Sequence, residues 1–181
     1  MTPFEIKKAL EAAVLLVDTR EQPTAAFKSR MEKVGLPYER YKLNAGDYSV
    51  KTIAENGTEI NCERLFAIER KMSLDELAAC YTHDRARFER EFERAKASGT
   101  KLYLLVENAT WENLYNGRYR SKFNSKAFAA SIHAWLARYG CQIIFCKAET
   151  SARLIHDILY RELKEYLENF SLNLLADSKA I

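Results

Sequence analysis

The sequence predicts an α/β domain in which a mixed central sheet is flanked by helices. Apolar segments of strand length alternate along the chain with longer segments of helical periodicity, which is typical of a layered α/β arrangement. A hairpin signal in the first half adds antiparallel pairing to this sheet. Because the 181 residues contain no repeat and no Pro- or Ser-rich linker, we expect one domain over residues 1–170 and a loose tail over residues 171–181.

Capping and termination signals, together with one apolar run, predict the first two helices and the first strand. A capping box at residues 2–5 predicts a helix that ends near Ala13. Residues 14–17 form a compact apolar run, which predicts a buried strand. Residues 24–34 predict a second helix, because a glycine at position 35 favours helix termination.

Four further strands are predicted in the first half of the chain. They cover residues 38–43, 48–53, 58–60 and 65–70. Residues 44–47 turn the chain between the first two of these strands, and Asn56-Gly57 predicts a tight hairpin between the second and the third.

The second half alternates helices with two apolar strands. We predict a single long helix from Ser73 to about Ser98, followed by a strand over 102–106. A polar, aromatic and basic loop over 108–124 leads to a helix that Ser125 caps and Gly140 ends. A buried strand over 141–146 and a last helix from Thr150 or Ser151 to about Asn169 complete the domain.

Composition excludes several classes of protein. Lysine and arginine total 28 against 25 acidic residues, so the net charge of +3 favours an anionic partner only weakly. No apolar run approaches the roughly 20 residues of a membrane span, and the N-terminus has no signal-peptide core. The four cysteines form no CxxC pair, which favours reduced thiols in an intracellular protein. We therefore expect a location in the cytoplasm, with the nucleoid, or in a eukaryotic nucleus.

Acidic residues gather where the predicted strands end. Asp18 and Glu21 follow the first strand, Asp47 lies in a turn, and Asp75 begins a helix. Another strand ends in Glu69-Arg70-Lys71. Because side chains alternate along a strand, Glu69 and Lys71 are predicted to share one face and Arg70 to lie on the other.

These residue types suit hydrolysis of a phosphodiester. Two carboxylates hold a hard divalent cation through oxygen, and such a cation polarises the phosphodiester and lowers the pKa of a bound water. A neighbouring lysine offers positive charge to the developing transition state. The alternative is an exposed sheet edge with solvated charges.

Basic residues outside this group have two interpretations each. Arg85 falls in the apolar stripe of its helix, so it either borders a functional cleft or extends its head to water. The loop over 111–123 interleaves bases and aromatics, which suits nucleic acid or anchoring of the loop on the core. The alternating Arg and Glu residues over 87–94 predict a solvated, ion-paired face, and the three histidines predict no site.

The ordered segments resemble the nuclease domain of the XPF family of structure-specific endonucleases. The matching segments are Val17-Asp18-Thr19-Arg20-Glu21, Gly46-Asp47-Tyr48, Ile68-Glu69-Arg70-Lys71 with Ser73 and Asp75, His83-Asp84-Arg85, and Leu104-Leu105-Val106-Glu107. The resemblance extends from about residue 14 to about residue 159. The tandem helix-hairpin-helix modules and the helicase domain found in many family members have no counterpart in this sequence.

The resemblance implies a restriction-endonuclease-like core that cuts DNA with Mg2+ or Mn2+. Asp47 and Glu69 would bind the metal, joined by the Arg70 backbone carbonyl and by Asp18, and Lys71 would be the catalytic lysine. Glu21 would extend the acidic site. The set of supporting or DNA-contacting residues would be Arg70, Asp75, Arg20, Arg85, Arg118, Arg120 and Lys122.

The expected function is metal-dependent, structure-selective DNA cleavage in repair or recombination. The resemblance also implies a homodimer or heterodimer through the last two helices. The first alternative is a non-catalytic DNA-binding or scaffold subunit with the same fold, which would bind DNA in a salt-sensitive way without cutting it. The second alternative is a small-molecule enzyme, which would have a closed apolar pocket.

Overall fold

The structure is a computed structural model that describes the backbone of residues 1–177 and the side chains of residues 1–169. In chain order its elements are α1 (Pro3–Glu11), β1 (Val14–Asp18), α2 (Ala25–Val34), β2 (Tyr38–Tyr41), β3 (Tyr48–Ile53), β4 (Glu59–Asn61), β5 (Phe66–Lys71), α3 (Leu74–Tyr81), α4 (Arg85–Ala97), β6 (Lys101–Glu107), α5 (Trp111–Tyr115), α6 (Ser125–Tyr139), β7 (Gln142–Cys146) and α7 (Ala148–Asp177). The prediction of an α/β domain with a mixed sheet and flanking helices is confirmed.

The sheet brings several strand ends to one edge. Its strand order is β2-β1-β3-β5-β6-β7, with β4 added to β3 as the return strand of a hairpin. Strand β3 runs antiparallel to β1, β4 and β5, so the short strand β4 points the same way as the five strands β1, β2, β5, β6 and β7. The carboxyl ends of these five strands and the amino end of β3 therefore lie at one edge, which we call the cleft edge.

Each face of the sheet is covered by its own group of helices. Helices α1, α2 and α7 pack with Leu15, Tyr48, Ile68 and Leu105 in one core. Helices α3, α4 and α6 pack with Ala67, Leu104 and Val106 in a second core, which also contains the stacked rings of Phe88 and Trp135. Since successive strand residues alternate between these cores, the sheet sorts the side chains at the cleft edge into two sets.

The two halves of the sheet, β1 to β4 and β5 to β7, are joined by very little strand pairing, at a boundary that we call the seam. Strands β3 and β5 share a single register pair, Tyr48 with Ile68. Two further hydrogen bonds reinforce this seam: the Asp47 backbone N–H donates to the Ile68 carbonyl at 2.8 Å, and the Ser49 hydroxyl donates to the Phe66 carbonyl at 2.8 Å. The seam therefore ends directly beneath Asp47.

Several predicted ends are confirmed at the level of individual hydrogen bonds. The Thr2 side chain accepts from the Glu5 backbone N–H, and the capping box is complete. Thr24 caps α2, and Gly35 ends that helix with a left-handed φ of 73°. The Asn56-Gly57 turn joins β3 to β4 as predicted.

The prediction of one helix over 73–98 is wrong, because the chain breaks between Tyr81 and Arg85. Thr82 closes α3, and its hydroxyl donates to the Ala78 carbonyl at 2.9 Å, which competes with helical hydrogen bonding. Asp84 then starts α4 in a new direction. A Thr-His-Asp run has low helix propensity, and this break was readable from it.

Other differences are smaller. Within the predicted loop over 108–124, Thr110 caps the short helix α5, whose Leu114 is fully buried. Asn124, rather than Ser125, caps α6. Strand β7 is half-buried because it forms an edge of the sheet.

Helix α7 starts and ends at different residues from those predicted. It begins at Ala148 rather than at Thr150 or Ser151, and it continues beyond Asn169 to Asp177. The predicted loose tail is therefore helical over 171–177, and its last residues, 178–181, lie outside the described part of the chain. Among the helices that the structure describes, none combines the length and apolar character needed to cross a bilayer.

Candidate functional site

The cleft edge brings the predicted acidic segments together. Asp18 ends β1, Asp47 precedes β3, and Lys71 ends β5. A cleft of about 330 Å³ opens between this edge and the start of α2. Its lining includes Arg20, Glu21, Arg30, Asp47, Arg70 and Lys71.

Asp47 is held by the backbone on both sides. Its Oδ2 accepts the Arg70 backbone N–H at 2.8 Å, and its own carbonyl accepts the Asp18 backbone N–H at 2.9 Å. Burial raises the pKa of Asp47 to about 6, against the lowering effects of the Lys71 ammonium and the Arg70 N–H. This carboxylate is therefore fixed in position while its negative charge is poorly solvated.

Glu69 and Lys71 form a buried ion pair on the same face of β5. Their exposed fractions are 4% and 8%, and the Lys71 ammonium donates to Glu69 Oε1. Burial and the neighbouring Asp47 charge raise the pKa of Glu69 well above its ordinary value. Burial disfavours a charged lysine, but the Glu69 and Asp47 carboxylates outweigh it and raise the pKa of Lys71. The Lys71 ammonium is therefore favoured in its charged form, beside two carboxylates whose charges are poorly solvated.

Arg70 points to the opposite face, as strand alternation predicts. Its Nε and Nη2 each donate to Glu107 at 2.7 Å, which makes a bidentate pair with a residue at the end of β6. Burial alone would raise the pKa of Glu107, but the Arg70 hydrogen bonds lower it. The guanidinium is therefore engaged in the structure of the cleft edge, while the backbone of Arg70 fixes Asp47.

Asp18 is present at the edge, but both of its carboxylate oxygens are engaged by the chain itself. Oδ1 accepts the Arg20 backbone N–H at 2.8 Å, and Oδ2 accepts the Leu43 N–H at 2.9 Å. The Arg20 side chain also donates to Oδ1. Asp18 thus positions Arg20 and the connection between β2 and β3.

Glu91 is a buried member of this edge that the sequence analysis places on a solvated face. It is only 8% exposed, and its Oε1 accepts the Gly46 backbone N–H at 3.0 Å and lies 3.5 Å from Arg20 Nη2. Its charge also helps to raise the pKa of Asp47 and Glu69. The signal available in the sequence is its spacing, three residues after Phe88 and four before Ala95, which places it on the inner stripe of α4.

The wall of the cleft opposite Lys71 contains a second polar group. Glu21 Oε2 lies 3.5 Å from Arg30 Nη2, and both residues line the cleft. The Arg30 Nε and the Tyr48 hydroxyl are buried without a hydrogen-bond partner among the described residues. Arg30 was not singled out from the sequence, because its position in α2 does not reveal which way it faces.

Asp75 anchors the basic loop and is not among the residues that line the cleft. Its Oδ1 accepts the backbone N–H groups of Arg120 and Ser121, each at 2.7 Å. The loop aromatics Tyr119 and Phe123 pack on the ring of Phe128. The anchoring interpretation therefore holds for the aromatics, while the exposed cations of the loop are Arg118, Arg120 and Lys122.

Arg85 extends to solvent at the start of α4. Its guanidinium lies over the ring of Trp135, with 5.6 Å from Cζ to the ring centroid, and the residue is exposed. An exposed guanidinium that lies on a buried ring fits the alternative in which this side chain extends its head to water. It does not line the cleft at Asp47.

The donor set around Asp47 suits a hard cation. Asp47 Oδ1 and Glu69 Oε2 have no hydrogen-bond donor among the described residues, and burial destabilises both charges. Carboxylate oxygens are the ligands that Mg2+ and Mn2+ prefer. No group of three or more His, Cys, Asp or Glu side chains in the described part of the chain is arranged to hold a metal alone. A backbone carbonyl or water would therefore have to complete the shell.

The mixed sheet, its two helical layers and the carboxylates and lysine at one edge define an α/β domain with a polar cleft at the carboxyl ends of its strands. The family model of the ERCC4 domain matches residues 17–158. The chain therefore belongs to the ERCC4 domain family of nucleases. No protein with a curated description matches the chain.

The solved structures that resemble this fold include two of XPF from Aeropyrum pernix. XPF from Aeropyrum pernix is 20% identical with a TM-score of 0.55, and the match covers 81% of this chain and 59% of that one. XPF from Aeropyrum pernix in complex with DNA is 22% identical with a TM-score of 0.55, and the match covers 82% and 63% of the two chains. The chain thus spans about three fifths of the length of these structures, and the likeness is one of fold.

Proposed function

We propose that this protein is a metal-dependent DNA endonuclease that hydrolyses phosphodiester bonds. The observation that carries the proposal is the convergence of Asp47, Glu69 and Lys71 at one edge of a sheet, with the Lys71 ammonium bonded to Glu69. Membership of the ERCC4 domain family supports the same chemistry. The catalytic domain would comprise residues 1–170.

Asp47, Glu69 and the Arg70 backbone carbonyl would hold Mg2+ or Mn2+. When bound, such a cation supplies Lewis acidity toward the phosphodiester and toward an attacking water. Asp18 has both oxygens occupied by Arg20 and Leu43, so we assign it to positioning rather than to the metal. Glu21 faces the same cleft and would extend its acidic wall.

Lys71 would supply the fixed positive charge of the reaction. Its raised pKa keeps the ammonium protonated at neutral pH, so it stabilises negative charge on the phosphate oxygens and does not serve as a general base. Asp47 and Glu69 hold this cation at the cleft. Arg70 and Glu107 keep the end of β5 beside the end of β6, which preserves the spacing of the site.

The proposed substrate is DNA, with a preference for branched or otherwise structured forms in repair or recombination. The similar XPF structure in complex with DNA supports this substrate. Exposed candidates for phosphate contacts are Arg20, Arg85, Arg118, Arg120 and Lys122. We further propose an intracellular location and dimerisation through α6 and α7, with a second copy or a related subunit.

A cleavage assay tests the proposal. Labelled single-stranded, duplex, flap, fork and nicked DNA would be incubated with the protein and Mg2+, Mn2+ or EDTA. We expect metal-dependent cutting that drops at least about a hundredfold in each of two variants. Asp47→Asn removes the charge of a carboxylate that would hold the metal, and Lys71→Ala removes the fixed positive charge beside the reacting phosphate. Asp157→Asn, at an exposed aspartate of α7, is the matched control and should cut normally.

Two results would contradict the proposal. Full metal-dependent cleavage by a folded Asp47→Asn or Lys71→Ala variant would remove the site assignment. Salt-sensitive DNA binding by the unaltered protein, without cleavage in any metal, would favour the non-catalytic scaffold subunit.

A further inference from the structure

A second groove lies beside the cleft, on the face of the sheet that carries α4. Its volume is about 460 Å³, and it opens between the connection from β2 to β3, the residues before β5, and α4. Four cations line it, against a single carboxylate from Glu63. These cations are Arg20, Lys42, Arg64 and Arg94.

The cations of this groove are available to a ligand. Lys42 is exposed and has neither a hydrogen bond nor an ion pair to any residue that the structure describes. Within the described residues, Arg94 donates only to main-chain carbonyls, those of Asn44 at 2.9 Å and of Arg90 at 3.3 Å. Arg64 is 73% exposed in its side chain and pairs with its sequence neighbour Glu63.

The single acid does little to offset this charge. Glu63 is 13% exposed in its side chain, and its Oε2 accepts the Asn44 backbone N–H at 3.0 Å. Its Oε1 accepts from Arg64 Nε at 3.1 Å, so this carboxylate offsets the charge of Arg64 and not that of the other cations of the groove. The surface presented to solvent by the groove is therefore dominated by positive charge.

The groove continues directly from the cleft, because Arg20 lines both. Arg20 follows the carboxyl end of β1 at the cleft edge, whereas Arg64 precedes the amino end of β5 at the opposite edge. The cations therefore mark a path from the carboxylates across the sheet, along a strand length of about 20 Å for the six residues of β5. A compact ion would occupy one point of such a path, whereas a polyanion would follow it.

From this continuity we infer that the groove binds the sugar-phosphate backbone of the DNA on one side of the cleaved bond. The inference rests on the proposed function, and it adds a DNA-contacting surface distinct from the basic loop over 118–122. Lys42, Arg64 and Arg94 contact phosphates along this path. Arg20, held by Asp18 and Glu91, contacts the phosphate nearest the carboxylates.

Salt dependence of DNA binding tests the inference. Binding of a fluorescent DNA duplex to the whole protein would be followed by anisotropy in EDTA, so that cleavage does not interfere. The test variant is Lys42→Gln with Arg64→Gln, since both side chains are exposed and neither supports the core. The matched control is Lys7→Gln with Lys33→Gln, because Lys7 is 74% exposed and paired with Glu11 much as Arg64 is paired with Glu63.

Each lost phosphate contact lowers the slope of log affinity against log salt by about 0.9 for duplex DNA. We expect the double variant to lose nearly two units of slope, so that a fourfold rise in salt costs the unaltered protein about tenfold more affinity than it costs the variant. The control should keep the original slope. The metal-dependent cleavage by the control variant should also be unchanged.

The outcomes separate the groove from the nuclease. If the Lys42→Gln, Arg64→Gln variant keeps the original slope, the proposal that the groove binds DNA is wrong. Metal-dependent cleavage by that variant would still support the proposed nuclease function. Absence of any DNA binding by the unaltered protein at low salt would overturn both. Equal slope losses in the test variant and the control would mean a diffuse charge effect and would also overturn the groove.

Discussion

The Asp47 carboxylate and the Arg70 backbone N–H are joined by a 2.8 Å hydrogen bond between residues that lie far apart in the chain. This contact fixes a candidate metal ligand to the strand that carries the other one, Glu69. The Arg70 side chain leaves on the opposite face to bind Glu107. One residue therefore orders both sides of the cleft edge, through its backbone on one side and its guanidinium on the other.

In EDTA, we expect the folded protein to lose stability as pH rises from about 4 to about 6. The pKa of Asp47 is raised from 3.8 to about 6, so the folded state binds this proton more tightly than the unfolded state does. The contribution of this bound proton to the free energy of unfolding is complete below about pH 4 and is lost above about pH 6. Glu69 shifts in the same direction.

Urea unfolding at several pH values measures this effect. Relative to the unaltered protein, Asp47→Asn should gain up to roughly 3 kcal/mol in free energy of unfolding across that range. Millimolar Mg2+ should reduce the difference, because it stabilises the ionised carboxylates of the unaltered protein alone. A constant difference from pH 4 to pH 7 would contradict the assigned burial of this charge.

Gly46→Ala should destabilise the turn that presents Asp47. The backbone φ of Gly46 is +80°, and an added Cβ would lie 3.0 Å from the Ile68 carbonyl oxygen. Conformational strain and crowding together should cost roughly 2–4 kcal/mol in urea unfolding. Gly57→Ala has a similar φ of +81° with open space around it, so it should lose only about 1–2 kcal/mol. Equal losses would argue against crowding at the seam.

The Arg70–Glu107 pair should behave as a buried ion pair in a double-mutant cycle. Removing one partner, as in Arg70→Met or Glu107→Leu, should cost about 3–5 kcal/mol, and removing both should cost less than the sum. The exposed Arg153–Asp157 pair on α7 is the control, with an expected coupling of about 0.2–1 kcal/mol. Additive losses at Arg70 and Glu107 would refute the coupling.

Asp75→Ala should release the basic loop without removing metal-dependent cleavage. The carboxylate accepts two backbone N–H groups of that loop, from Arg120 and Ser121. Their loss should speed tryptic cutting after Arg118, Arg120 or Lys122, because the loop opens more often. Asp84→Ala, at an exposed aspartate whose side chain forms no cap, is the control. Loss of cleavage with an unchanged rate of proteolysis would instead return Asp75 to the catalytic group.

Much of the fold was predictable because local signals agreed with tertiary pairing. The Thr24 cap with Gly35, and the Asn56-Gly57 hairpin, mark ends that depend on a few neighbouring residues. The break between Tyr81 and Arg85 was missed because the apolar stripe continues across it in sequence. The local signal that opposes this periodicity is the Thr-His-Asp run, whose threonine hydroxyl bonds the Ala78 carbonyl where α3 ends.

The candidate site divides in the same way. Residues at strand ends, such as Asp47, Glu69 and Lys71, were identified because alternation and topology place them at one edge. Glu91 was hidden in a run of alternating charges, and only the approach of the Gly46 N–H explains its burial. Asp18 was assigned to the metal because sequence alone does not reveal the Leu43 N–H that occupies its second oxygen.

The single register pair between β3 and β5 has a consequence for how the candidate site is assembled during folding. Strands β1 to β4 form one set of pairings and β5 to β7 another, and Asp47 belongs to the first set while Glu69 and Lys71 belong to the second. A nascent chain that has completed only one set holds an incomplete site. Closure of the seam brings these three side chains together, so the candidate site forms only when the two halves of the sheet have joined.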